Sequence, residues 1–366
     1  MSAPILSLRA LNRATLARQL LLERAQLPTT QAVARLAGMQ AQTPNAPYVG
    51  LWSRLHGFRR ADLIDQIEQR AIVRATLLRS TLHLATAHDY LLLRPVLQPV
   101  LTRALLATFG GRAKRLDLAQ LLPVAREYLA ADPRTLAALR ALLAERLPAE
   151  DPEAMTSAVA RAYLPLVQIP PGGFWGRATG AYALAESWLG ASLAQPEDGV
   201  QALILRHLAA FGPASIADIE QWSGLRGLDK AIGMLRTALC TFRDQRGIEL
   251  FDLPDAPRPA ADTPAPPRFL PEYDNLLLAH AYRTRVVADR DRPLIFLSSA
   301  RVRATFLLDG FVGGTWRTER AGALATLVIE PFSPLPRAAR DGLAAEGETL
   351  IRFIEDRAQD VTVRFA

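Results

Sequence analysis

The chain has 366 residues, half of them apolar, and 43 Lys and Arg against 36 Asp and Glu give a formal charge of +7. This size and composition specify a folded protein with room for about two to four domains and exclude a disordered chain. No apolar run approaches the roughly 20 residues of a membrane span, no basic region precedes an apolar block at the start, and the single cysteine, Cys240, excludes intrachain disulfides and fits a reducing, cytoplasmic setting.

Residues 6–25 read as an amphipathic helix, because Leu8, Leu11, Leu16, Leu20 and Leu21 recur near a 3.6-residue period. Thr29 or Thr30 caps a second helix running to Gly38-Met39. Then comes Gln40-Ala41-Gln42-Thr43-Pro44. Extended residues alternate faces, so Gln40 and Gln42 share a side here, whereas on a helix they would lie roughly 200° apart. Pro44 and Pro47 bias the residues before them toward extended geometry. Two amides aimed at one point can hold a water through its lone pairs and protons; a solvated surface pair is the alternative. Residues 61–70 form a third helix with Leu63, Ile64 and Ile67 inward, and β-rich runs at 73–78 and 81–85 flank Arg79-Ser80. Three helices and a short β-pair make a winged-helix plan for residues 1–110.

A second such unit is expected at 111–197. It has helices within 116–147, the second starting at Asp132-Pro133, then strand, turn and strand at 167–169, Pro170-Pro171-Gly172-Gly173 and 174–176. A third unit is expected at 198–254, with helices at 201–211, 215–222 and 228–239, a turn at Gly224 and a wing strand at Phe251-Asp252-Leu253. Residues 255–267 are a Pro/Ala-rich linker. Residues 268–366 are β-rich, with runs at 293–297, 305–308, 311–317 and 324–329, a hairpin turn at Asp309-Gly310, a helix at 337–354 and a last strand at 361–365.

Residues 70–115 carry eight cations (Arg70, Arg74, Arg79, Arg94, Arg103, Arg112, Lys114 and Arg115) and one anion, Asp89. A second basic block spans Arg283, Arg285, Arg290, Arg292, Arg301 and Arg303, partly offset by Asp289 and Asp291. Local positive surfaces attract phosphate backbones. The alternative is a solvated surface in a chain that uses Arg in place of Lys.

Several segments together resemble one family. They are Leu11-Asn12-Arg13-Ala14-Thr15-Leu16-Ala17-Arg18-Gln19, the Gln40-Ala41-Gln42 stretch, Leu78-Arg79-Ser80-Thr81-Leu82-His83-Leu84, Leu270-Pro271-Glu272-Tyr273-Asp274-Asn275-Leu276-Leu277 and Asp309-Gly310-Phe311-Val312-Gly313-Gly314-Thr315-Trp316-Arg317. Over essentially its whole length the chain resembles the winged-helix family that contains the AlkZ-type DNA glycosylases. The resemblance implies an α+β fold with three tandem winged helices and a C-terminal β-barrel-like domain around a concave DNA channel. It implies removal of alkylated purines and, in some members, of interstrand crosslinks left by natural products such as azinomycin. It makes Gln40 and Gln42 the catalytic pair, in the Gln-ending branch seen in antibiotic self-resistance enzymes rather than the carboxylate branch. It also implies a DNA-inserting β-hairpin, placed at residues 316–324 around Arg317 and Arg320.

Beside the matched motifs, Arg74, Arg79, Thr81, His83, Arg317 and Arg320 are the expected DNA contacts. For His83 a contact to phosphate or to the catalytic water stands against a strand imidazole bonded to backbone. Glu272, Tyr273 and Asp274 read as bracing between the C-terminal part and the rest, with active-site lining as the alternative. Two neutral amides cannot stabilise an oxocarbenium-like sugar by charge, but they can position a water. That chemistry calls for a leaving base that is already cationic, an N7-alkylguanine or N3-alkyladenine. The only lysines, Lys114 and Lys230, are far from the glutamines in sequence, which favours simple hydrolysis over a Schiff-base lyase. Five histidines and one cysteine without ligand spacing point to no metal and no cofactor. A monomer acting on double-stranded DNA with alkylated purines, away from membranes, is the expectation. A non-catalytic winged-helix transcriptional regulator is the alternative.

Overall fold

The computed structural model describes residues 3–366, the side chains of Asp198 and Ser299 excepted. The fold is α+β and is organised by three open sheets. The strands in chain order are β1 (Ile5–Leu6), β2 (Met39–Gln40), β3 (Ile72–Thr76), β4 (Leu82–Thr86), β5 (Leu166–Gln168), β6 (Tyr182–Leu184), β7 (Cys240–Asp244), β8 (Glu249–Asp252), β9 (Arg268–Leu270), β10 (Thr305–Leu308), β11 (Phe311–Ala321), β12 (Leu324–Pro331) and β13 (Asp360–Phe365). The sheets run β2-β4-β3-β5-β6, β1-β7-β8 and β13-β12-β11-β10-β9.

Pairing crosses long stretches of sequence. Arg74 of β3 lies opposite Gln168 of β5, so one sheet draws strands from both the 1–110 and 111–197 segments. Ile5 of β1 pairs in parallel with Arg243 of β7, which ties the start of the chain to the third segment. The first helix, Leu8–Arg18, is capped by the Ser7 side chain and is shorter than its leucine period suggested. Leu20 at φ 57° turns the chain out of the helix. Arg18, buried on this helix, forms a two-pronged pair with Asp252 of β8 at 2.6 and 2.8 Å.

The C-terminal sheet is open and does not close into the expected barrel. β9 and β13 are its two edges. The helix Arg337–Ile354 packs Leu343, Leu350 and Ile351 against Phe269, Phe306, Leu327 and Ile329, covering one face of the sheet. Along β13 the residues alternate between exposed and half-buried, as on a sheet packed on one side only. The Asp309-Gly310 turn forms as expected, both residues having positive φ. Arg13, fully buried, donates to the Asp309 carbonyl at 2.9 Å and also reaches its carboxylate.

Two predicted strands are absent. Residues 292–295 form a helical turn (Arg292–Ile295) with Pro293 near its start, where the fixed φ of proline suits a first turn. The segment 174–176 belongs to a turn flanked by positive-φ Gly173 and Gly176, and β5 pairs instead with β6.

Candidate active site

Gln40 lies on β2 at the edge of its sheet, opposite His83 of β4. Ala41 extends the pairing by one bond, its N–H donating to the Leu82 carbonyl at 2.7 Å. The chain then bends through residues 42–45 and enters the helix Ala46–Arg54, whose first turn holds Pro47. The prolines thus act as a helix start, and the extended stretch is short.

Arg74 fixes the peptide between the two glutamines. Its Nε and Nη2 donate to the Ala41 carbonyl at 3.1 and 2.8 Å, and its Nη1 donates to Gln168 and to the Ala178 carbonyl. The side chain is 1% exposed. It therefore shapes the segment from below, its guanidinium fully engaged by the Ala41 carbonyl, Gln168 and the Ala178 carbonyl.

Arg79 also turns inward. Arg79 and Ser80 both have positive φ, a conformation that costs energy for residues with a Cβ. The Arg79 guanidinium donates to Gln40 Oε1 at 2.9 Å, to the Trp222 carbonyl at 2.7 Å and to Asn275 Oδ1 at 3.5 Å. Asn275 in turn donates to the Gly38 carbonyl at 3.1 Å. Burial pulls the Arg79 pKa down to about 10, so it stays charged at neutral pH. The residue is half-buried, and its guanidinium is shared among Gln40, Trp222 and Asn275.

The two glutamines are consequently unlike. Gln40 is buried with its amide oxygen held by Arg79. Gln42 is exposed, and its Oε1 lies 3.4 Å from the Leu82 N–H. Ala41 between them is buried. One amide is fixed and the other meets solvent.

His83 is buried, and burial together with the Arg79 charge pushes its pKa down to about 3. The neutral ring donates from Nδ1 to the Thr81 carbonyl at 3.0 Å, leaving Nε2 an acceptor without a partner among the described residues. Its observed contact is the backbone one. Thr81 Oγ1 donates to the Leu78 carbonyl at 3.1 Å and closes the turn.

Arg317 and Arg320 lie on the far part of β11, which forms with β12 a hairpin whose residues 317–324 are exposed. Arg317 pairs with Glu319 at 2.8 Å and also with Glu330, and Arg320 pairs with Glu355 at 3.4 Å. Of the first basic cluster, Arg74 and Arg94 are buried, whereas Arg70, Arg103, Arg112, Lys114 and Arg115 are exposed. Asp274 is a brace, bonded to buried Arg54 by two contacts of 2.9 Å.

A cavity of about 560 Å³ opens beside the glutamine segment. Thr43, Pro44, Trp175, Glu272, Arg301 and Arg317 are among its walls, so it runs from the residues just after Gln42 to the base of the hairpin. Among the described residues no group of three or more His, Cys, Asp and Glu side chains could hold a metal ion, and no helix is long and apolar enough to cross a membrane. Sequence reasoning missed the inward direction of Arg74 and Arg79, whereas the place of Glu272 beside the residues after Gln42 fits the alternative it gave for that segment. Positive φ at Arg79, Ser80 and Tyr273 marks these places, but none is a residue type that announces it.

Residues 33–353 match the family described as DNA glycosylase AlkZ-like. Among solved structures, the DNA glycosylase AlkZ of Streptomyces sahachiroi superposes with a TM-score of 0.82 at 20% identity, covering 99% of this chain and 100% of that one. Among curated proteins, no match was found.

Proposed function

The chain belongs to the AlkZ-like family of DNA glycosylases, and from that premise we propose that it hydrolyses the N-glycosidic bond of cationic N7-alkylated purines, including those joined in interstrand crosslinks. Family membership makes it an enzyme acting on DNA and removes the non-catalytic regulator. The finer reading rests on one observation: the amide of Gln40, fixed by Arg79, stands two residues from the open amide of Gln42.

In this reading the exposed Gln42 carboxamide holds the attacking water, and Gln40 sets the backbone course that presents it. A purine alkylated at N7 carries a positive charge. When the C1′–N bond breaks, its electron pair passes to the base and neutralises it. The water oxygen bonds to C1′ and releases its proton to solvent. Amides suffice for this because they orient the nucleophile through dipoles and need not accept the proton. Neutral lesions such as uracil give no such leaving group and are left intact. The protein works as a monomer, with the exposed cations Arg70, Arg103, Lys114 and Arg115 available to the phosphate backbone, and the hairpin around Arg317 and Arg320 reaches toward the duplex.

The test is incubation with duplex DNA carrying N7-methylguanine, followed by alkali and strand-break analysis. Breaks at the modified base and none at uracil are expected. Absence of breaks at saturating enzyme overturns the N7-alkylpurine assignment.

A further inference from the structure

The cavity beside the glutamine segment holds two charged side chains whose partners are missing. Glu272, half-buried, and Arg301, exposed, both line it, and neither makes a side-chain ion pair or hydrogen bond with another described residue. The neighbouring cations are already satisfied, since Arg303 and Arg317 share the carboxylate of Glu330. The cavity thus presents one open anion and one open cation. Its walls also carry two indoles. Trp316 is anchored by its N–H to the Leu270 carbonyl at 2.9 Å, and Trp175 is backed by the Arg60 guanidinium at 3.8 Å from its ring.

A half-buried carboxylate without a side-chain partner in an arginine-lined cleft is free to meet a cationic ligand. Nearby Arg301 does not close on it as a salt bridge, so the two charges suit a ligand that carries both signs. A nucleotide alkylated at N7 of its purine is such a ligand, with a cationic ring and an anionic phosphate. Aromatic walls favour a flat cation through stacking and ring-face attraction. The volume of about 560 Å³ admits a purine with a bulky substituent. Glu272 sits on Leu270-Pro271-Glu272-Tyr273-Asp274, a segment held rigid by β9 on one side and by the Arg54–Asp274 pair on the other.

We propose that this cavity receives the damaged nucleotide, with Glu272 facing the positive charge of the alkylated base and Arg301 its phosphate. Glu272 is then a specificity-determining residue. It supplies, from the turn after β9, a negative charge toward the base, while the two glutamines act at the sugar. This rests on the cationic-purine reading above, and a binding measurement separates the two.

The probe is a duplex with 7-methylguanine on a 2′-fluorinated sugar, which resists cleavage because the fluorine destabilises the cationic sugar. The control carries guanine on the same sugar. The parent protein is expected to prefer the methylated duplex by about tenfold, equivalent to about 1.4 kcal/mol. Glu272→Gln is expected to erase that preference and Glu272→Asp to keep part of it. Arg301→Gln is expected to weaken both duplexes alike. A parent without the preference, or a Glu272→Gln protein that retains it, overturns the proposal. Strand breaks on an ordinary sugar, scored in parallel, report the glycosylase reading by themselves. Circular dichroism of each variant confirms that it is folded, and Glu272→Asp keeps the charge should Glu272→Gln unfold.

Discussion

Arg79→Met separates an orienting role from a phosphate contact. The substitution keeps length and apolar bulk and removes three donors, to Gln40 Oε1, the Trp222 carbonyl and Asn275 Oδ1. A hydrogen bond from a charged donor contributes about 1.5–3 kcal/mol, and Gln40 is only 7% exposed, so little water can replace the lost partner. If only half of the Gln40 term reaches the transition state through a misdirected glutamine segment, the barrier rises by about 0.8–1.5 kcal/mol, or about four- to tenfold in rate. The guanidinium points into the protein, so DNA affinity is expected to change less than about threefold. The dependence of log K on log salt is expected to stay the same, whereas loss of a phosphate contact lowers that slope by about one unit. The assay is single-turnover excision of 7-methylguanine at saturating enzyme, with binding measured across a salt series on the cleavage-resistant duplex. An unchanged rate constant with a shallower salt slope would show that Arg79 holds DNA and would refute the reasoning.

Gln42→Ala is expected to slow single-turnover excision by about 100-fold, the cost of a misplaced nucleophile, with little change in affinity; equal rate constants in variant and parent remove Gln42 from the reaction. Asp252→Asn leaves buried Arg18 without its anion, a loss of about 3–5 kcal/mol, and a urea-midpoint change equivalent to less than about 1 kcal/mol would contradict the bracing role. Acid sensitivity follows from His207, which is fully buried and held neutral with its pKa pushed down to about 4, first by desolvation. Because the unfolded chain takes up this proton near its ordinary value and the folded chain does not, stability is lost as pH falls from about 6.5 to about 4, by about 2 kcal/mol at pH 5. His83, with a pKa of about 3, adds loss of the same sign, whereas the depressed pKa of Asp218, about 2, matters only at lower pH. Urea melts at pH 7 and pH 5 check this, and equal stabilities would argue against the buried neutral rings.

Local chemistry was enough to read much of the chain. The helix Arg337–Ile354 and the Asp309-Gly310 turn stand where apolar period and turn residues placed them, because both are set by residues a few positions apart. The glutamine motif was likewise visible as a sequence. What the sequence withheld is the direction in which each charge points. Arg74 and Arg79 count as surface cations in a composition, yet one holds the Ala41 carbonyl and the other holds Gln40. Those partners exist only after strands far apart in the chain pair, as β3 does with β5. The open C-terminal sheet is a similar case: its strands could be read from their residues, but their order, with β9 and β13 as separate edges, is set by pairing between distant segments. Periodicity fixes which face of an element is apolar. Only the folded chain decides what that face meets, and so which polar groups are buried, which are satisfied, and which, like the Gln42 side chain, are left exposed.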